Sequence, residues 1–202
     1  PVAELAPVLV AGSTVARATL HNEDEIKRLD IRVGDTVLLR KAGDVIPEIF
    51  DVLTSLRPKN AKRFVMPEQC PECSSTLVRE QVGKQDSAAW YCKNPDCPAK
   101  HLEGLIHFVS KKGVNIEGMG DKIIELFHDI GLITDFASVY RLKHADVSGL
   151  EGFGEKSAEN LMQAIAVARK VPLSRFLFAL GIRHVGEQTA KDLAREFHSL
   201  AN

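Results

Sequence analysis

The chain has 202 residues, 45% of them hydrophobic and 26% charged, with a net charge of −1. These are the values of an ordinary globular protein of one large or two to three small domains. No apolar run approaches the roughly 18–20 residues that cross a bilayer, which argues against a membrane partner. Charge is balanced along the chain: ten basic and ten acidic side chains in 1–69, four and four in 70–101, twelve and thirteen in 102–202. That balance argues against binding nucleic acid through a broadly basic surface. Any hold on DNA has to come from backbone amides and locally placed cations. Pro1-Val2-Ala3-Glu4 lacks a basic-then-apolar leader, so the chain reads as cytoplasmic. It does not begin with Met and reads as a piece of something longer.

Residues 8–20 alternate as one or two strands around a turn at Ala11-Gly12. Asn22, with Glu25 three residues on, is a helix N-cap signal, and the short helix runs to about Leu29. Val33-Gly34-Asp35 is a turn, and Thr36–Lys41 reads as a strand. After a turn at Ala42-Gly43-Asp44, Val45 to Leu53 reads as another, with Pro47 marking an edge or bulge. Short strands, glycine turns and one small helix predict a five-stranded barrel of the OB type over 1–66. Arg17, Arg40 and Lys41 are its candidates to reach phosphates; the plainer reading is solvated surface charge.

All four cysteines follow, as Cys70-Pro-Glu-Cys73, an 18-residue arm, and Cys92-Lys-Asn-Pro-Asp-Cys97. Two short paired steps on such an arm are the ligand spacing of a four-sulfur zinc site. Each step turns two thiolates toward one point. The closed shell leaves no open position, so the metal is structural. The competing reading is two disulfides, which suit secreted domains. His101 is a substitute ligand that a filled shell does not need. Trp90 is expected to pack on the knuckle. The module spans 67–101, has few large apolar residues, and should lose its shape without metal.

Residues 102–202 read as all helix. Leu102, Leu105, Ile106 and Val109 share a face, and Gly113 is a stop. Ile116-Glu117-Gly118-Met119-Gly120-Asp121-Lys122 then leads into an apolar run through Ile123, Ile124, Phe127 and Ile130. The same grammar returns as Leu150-Glu151-Gly152-Phe153-Gly154-Glu155-Lys156-Ser157-Ala158, before Leu161, Met162 and Ile165. A degraded third copy runs from Gly181 through Arg183, His184 and Gly186 to Ala190, before Leu193, Ala194 and Phe197. Such an internal repeat is the helix–hairpin–helix signature. Glycines permit a tight turn and close approach of a ligand. The helix that follows offers free amides, as phosphate-binding helix starts do. Lys122 and Lys156 sit where the helix dipole disfavours cations, which a bound phosphate would explain. Gly118, Gly120, Gly152, Gly154, Gly186 and Arg183 complete the candidate DNA contacts, and recognition through phosphates carries no sequence information. The competing reading is a packing repeat without a ligand.

The fold class is thus a multidomain α+β chain: an OB-type barrel, a four-cysteine zinc module and an all-α tandem helix–hairpin–helix domain. That order resembles the C-terminal part of bacterial NAD-dependent DNA ligases. Ala18-Thr19-Leu20-His21-Asn22 and Arg40-Lys41-Ala42-Gly43-Asp44-Val45-Ile46-Pro47 look like that family's OB domain, and Gly149–Ala158 and Ala179–Gly186 like its hairpin domain. The resemblance implies a parent enzyme that seals nicks in duplex DNA. A lysine is adenylated from NAD, AMP passes to the 5′-phosphate, and the 3′-hydroxyl displaces it with Mg²⁺ assisting. The family's Lys-x-Asp-Gly motif does not occur among the 202 residues. NAD and Mg²⁺ would therefore bind mainly elsewhere, on an adenylation domain that is the expected partner, and the fragment should be inactive alone. His184 stands where a first glycine is expected, and the chain stops before the family's fourth hairpin and its BRCT domain. His21 and Asp44 are more readily structural than chemical. The alternative is a non-catalytic repair or recombination adaptor with the same modules. An RNA-binding zinc–OB protein fits less well, because A-form grooves differ.

Overall fold

The computed structural model describes residues 1–43, 45–82 and 85–200, without the side chains of Val82 and Gln85; Asp44 and the two terminal residues lie outside them. By internal contacts the chain divides into two compact units, Pro1–Asn94 and Pro95–Asn202.

In the first unit, β1 (Val2–Val10) and β2 (Ser13–Thr19) form a hairpin. Ala11 and Gly12 turn it, both at positive φ (44° and 77°), as a two-residue hairpin loop requires. α1 (Glu23–Leu29) follows, with the Asn22 side chain accepting from the Glu25 N–H at 3.0 Å. Acids in its first turn and bases in its last suit the helix dipole. β3 (Arg32–Val33) pairs with β6 (Lys62–Arg63) in a small separate ladder. β4 (Val37–Ala42) and β5 (Ile46–Val52) are antiparallel.

The main sheet has the order β1-β2-β5-β4, and its outer strands approach one another, so it curls into a half-barrel. Four main strands and a separate two-stranded ladder stand in place of five equal strands. Ala18, Leu20, Ile26 and Ile49 form its core, with Leu5, Leu29, Val37 and Leu39 packed on them. Pro47 marks neither an edge nor the bulge. It lies in an inner strand opposite Lys41, and the extra residue is Phe50, since Leu38 faces Asp51 and Leu39 faces Ile49. β5 meets β2 only at Thr19↔Glu48, so the N–H that Pro47 lacks interrupts little of the ladder.

β7 (Leu77–Val82) and β8 (Gln85–Cys92) form a second hairpin in this unit. It is tied to α1 by the Arg79 guanidinium on both carboxylate oxygens of Asp24 (3.0 and 2.7 Å). Trp90 joins that tie: its half-buried indole N–H donates to Glu23 at 3.0 Å. An indole N–H taken out of water needs an acceptor, and α1 supplies one.

The second unit is helical: α2 (Pro98–Val109), α3 (Asp121–Asp129), α4 (Phe136–Val139), α5 (His144–Val147), α6 (Glu155–Val167), α7 (Leu173–Ala179) and α8 (Glu187–Phe197). Its core runs through Leu105, Phe108, Ile116, Met119, Ile124, Phe127, Leu161 and Ile165, and Phe108 stacks on Phe136 at 4.5 Å. Gly113 is not the stop of α2, which ends at Val109 with Ser110 as its cap; it follows in the returning segment, where a Cβ would lie 2.3 Å from the Phe108 carbonyl oxygen. Ile130 departs from its expected place. It caps the end of α3 and is 48% exposed, while the chain folds back through Gly131 so that Ile133 is buried instead. Both Leu132 and Ile133 N–H groups donate to Phe127 O. Phe197, Ile182 and Leu200, near the end of the described chain, are also exposed.

Candidate metal centre and nucleic-acid interface

The Sγ atoms of Cys70, Cys73, Cys92 and Cys97 all lie within 4.8 Å of one another, and none is disulfide-bonded. Four sulfurs at about 2.3 Å from one ion stand roughly 3.8 Å apart, and the Cys73–Cys92 separation is 3.5 Å. The donor set and its spacing fit a tetrahedral zinc ion. The first turn is set by two backbone bonds, Ser74 N–H to Cys70 O at 2.9 Å and Cys70 N–H to Ser75 O at 2.8 Å. The Ser75 hydroxyl and N–H beside Cys73, more than the neighbouring Cys92, lower that thiol to about 6, which favours the thiolate a metal needs. His101 stands outside the cluster, its ring nitrogen 3.2 Å from Pro95 O.

The three hairpin turns of the helical unit have one geometry. Met119, Phe153 and Val185 donate to Ile116 O, Leu150 O and Ile182 O at 3.2, 3.0 and 2.9 Å. The residue before each donor is left-handed: Gly118 (φ 81°), Gly152 (φ 84°) and His184 (φ 68°). The N-caps that follow, Gly120, Gly154 and Gly186, are extended at φ −76°, −95° and −80° and start α3, α6 and α8. The degraded third copy therefore keeps the fold of the others with a histidine in the left-handed position. Met119 is buried, and Phe153 and Val185 are half-buried, so the residue between the two special positions anchors each turn.

A Cβ at Gly120, Gly152, Gly154 or Gly186 would meet nothing within 4 Å. The three cap glycines have φ values open to any residue, so neither sterics nor packing calls for glycine there. A serine or aspartate would cap better. The effect of glycine is to leave first-turn N–H groups without an oxygen from the cap. In the second copy Ser157 Oγ takes the Gly154 N–H at 2.9 Å.

The predicted cations are placed unequally. Lys122 is exposed and forms no ion pair among the described residues, while Lys156 Nζ is 3.7 Å from Glu159. Arg183 is exposed in its turn. In the barrel, Arg17 is 3.6 Å from Glu4, and Lys41 donates to Ser13 Oγ at 2.7 Å. Arg40 is paired to the nearly buried Glu48 carboxylate, whose other oxygen is 2.9 Å from His21 Nε2, and lies over the Phe50 ring at 4.6 Å. Sequence reasoning missed Glu48 as the centre of this network, because a carboxylate in a strand looks like a solvated residue. It also missed Val45, in the turn after β4, and Ile46, the first residue of β5, which are 75% and 58% exposed. Their signal was two adjacent apolar residues at the mouth of a hairpin.

A curled half-barrel, a four-sulfur knuckle and repeated glycine-capped helices define a multimodule α+β protein. The comparisons are specific. Residues 1–61 match the NAD-dependent DNA ligase OB-fold domain. Residues 69–99 match the NAD-dependent DNA ligase C4 zinc finger domain. Residues 175–202, the third turn and its helices, match the helix-hairpin-helix motif. A DNA ligase of Halalkalibacterium halodurans is 50% identical over 99% of the chain, and one of Natranaerobius thermophilus is 48% identical over all of it. Residues 1–61 and 69–99 thus resemble the OB-fold and C4 zinc-finger domains of NAD-dependent DNA ligases, ahead of a segment that matches the helix-hairpin-helix motif. The chain spans 29% and 30% of the lengths of those two relatives. The zinc-finger match and the four clustered cysteines together support a structural zinc. No described helix is long and apolar enough to cross a membrane.

Proposed function

We propose that this chain is the duplex-gripping part of an NAD-dependent DNA ligase that seals nicks, and that it holds DNA by its backbone without reading sequence. The observation that carries this is the threefold glycine cap: three helices in one unit forgo a side-chain cap at an open, exposed start. Amides left open at a helix start suit phosphate oxygens. Gly118, Gly120, Gly152, Gly154 and Gly186 bring the backbone up to the phosphates, with Lys122, Lys156 and Arg183 beside them.

The modules are a barrel at 1–66, a zinc module at 67–101 that fixes its neighbours, and hairpins at 102–202. In the barrel, Arg17 and Lys41 reach phosphates. Arg40, its charge balanced by Glu48, positions the face more than it attracts the polymer. Exposed Val45 and Ile46 suit the sugar walls of a minor groove. The adenylated lysine, NAD and Mg²⁺ belong to an adenylation domain with which this part cooperates. No residue here is assigned a chemical step.

The test is nick sealing with an adenylation domain supplied in trans, alongside duplex binding by this chain alone. The chain should bind nicked duplexes of unrelated sequence with equal affinity, falling steeply with salt, and should seal only with the added domain. Binding confined to one sequence, or to RNA duplex, would remove the reading.

A further inference from the structure

The hairpin turns are poor in positive charge. Glu117 and Asp121 flank Lys122, and Glu151 and Glu155 flank Lys156, all of them exposed. A polyanion therefore gains little Coulomb attraction from the first two turns. The cations of the helical unit gather elsewhere.

Lys111, Lys112, Ser174, Arg175 and Lys191, with Glu187, line a groove of about 490 Å³. It lies where the segment after α2 meets α7 and the start of α8. Four cations face one carboxylate, in a chain whose net charge is −1. The groove is built rather than incidental. Half-buried Arg175 donates to Gly113 O at 2.9 Å and also to Lys111 O, which pins the backbone that carries Lys111 and Lys112. Lys112 Nζ is 2.5 Å from Glu187 Oε1. Lys111 and Lys191 form no ion pair among the described residues.

We propose that this groove takes a phosphodiester strand of duplex DNA and supplies the electrostatic part of the grip that the turns lack. The proposal rests on the duplex-DNA reading above and adds a second contact surface to it. Lys111 and Lys191 are the primary contacts. Arg175 is a positioning residue, and Glu187 restrains Lys112.

The test is fluorescence anisotropy of a labelled nicked duplex at several salt concentrations, with the zinc-loaded chain. Each neutralised phosphate contact contributes about 0.9 to the slope of log affinity against log salt. The double variant K111Q/K191Q should lose roughly 2 units of slope and bind at least tenfold more weakly at low salt. K170Q, an exposed lysine outside the groove, should change neither. E187Q, which frees Lys112, should bind more tightly, a gain that misfolding cannot imitate. An unchanged slope in K111Q/K191Q, or an equal loss in K170Q, would overturn the groove while leaving the duplex reading intact. No duplex binding by the unsubstituted chain would overturn both.

Discussion

Gly118 and His184 hold the same backbone position in two copies of one turn, at φ 81° and 68°, each two residues before a glycine that starts a helix. An L-residue in the left-handed region costs roughly 1 kcal/mol. His184 carries that cost, and Gly118 and Gly152 avoid it. Gly152→Ala should therefore lower stability by about 1–2 kcal/mol, since the Cβ itself meets nothing within 4 Å. His184→Gly should leave stability unchanged or raise it by less than about 1 kcal/mol. Urea denaturation of the zinc-loaded chain reads both.

The cap glycines predict effects of opposite sign. Gly120→Ser and Gly186→Ser place a capping hydroxyl over the first-turn amides. Stability should hold or rise by a few tenths of a kcal/mol. Duplex affinity should fall several-fold, because the hydroxyl takes the donors that a phosphate would use. Thermal melting and anisotropy on the same samples separate the two; a fall in both would mean the glycines serve folding instead.

The barrel strands, α1 with its Asn22 cap, the four-cysteine spacing and the hairpin repeat were legible because each rests on local chemistry: alternation, capping oxygens, ligand steps, glycine pairs. Register and tertiary contacts were not. Nothing near Pro47 says that the bulge falls at Phe50, and nothing near Trp90 says that its N–H goes to Glu23, 67 residues earlier. Ile130 obeyed the helical period and is exposed all the same, because the fold-back through Gly131 ends α3 first. His184 stood where a first glycine is expected; its left-handed backbone was invisible to a rule that equates that conformation with glycine.

Zinc removal should act through the β7–β8 hairpin, and Trp90, the one tryptophan of the chain, reports it. The chain should hold one zinc ion. Chelation should release it, break the Trp90–Glu23 bond and shift the tryptophan emission to the red. Cys73→Ser should do the same without chelator. Full emission and unchanged melting after verified metal removal would show that the knuckle stands without the ion.

Acid should weaken the barrel through Glu48. The Arg40 hydrogen bond first, and His21 second, hold this carboxyl below the usual carboxylate range. A carboxyl depressed by folding stabilises the native state above its unfolded pKa of about 4.3, and that contribution is lost as pH falls through the folded value. The melting temperature should fall as pH drops below about 4.5. Glu48→Gln should start lower at pH 7 and fall less. Parallel curves for the two proteins would show that Glu48 is not the group responsible.

The most direct test of the central claim is an amide NMR titration of the zinc-loaded chain with a nicked duplex. Backbone N–H resonances of Gly120, Asp121, Glu155, Gly186 and Glu187 should shift together and saturate at one stoichiometry. Saturable binding that leaves those amides unmoved would contradict the account.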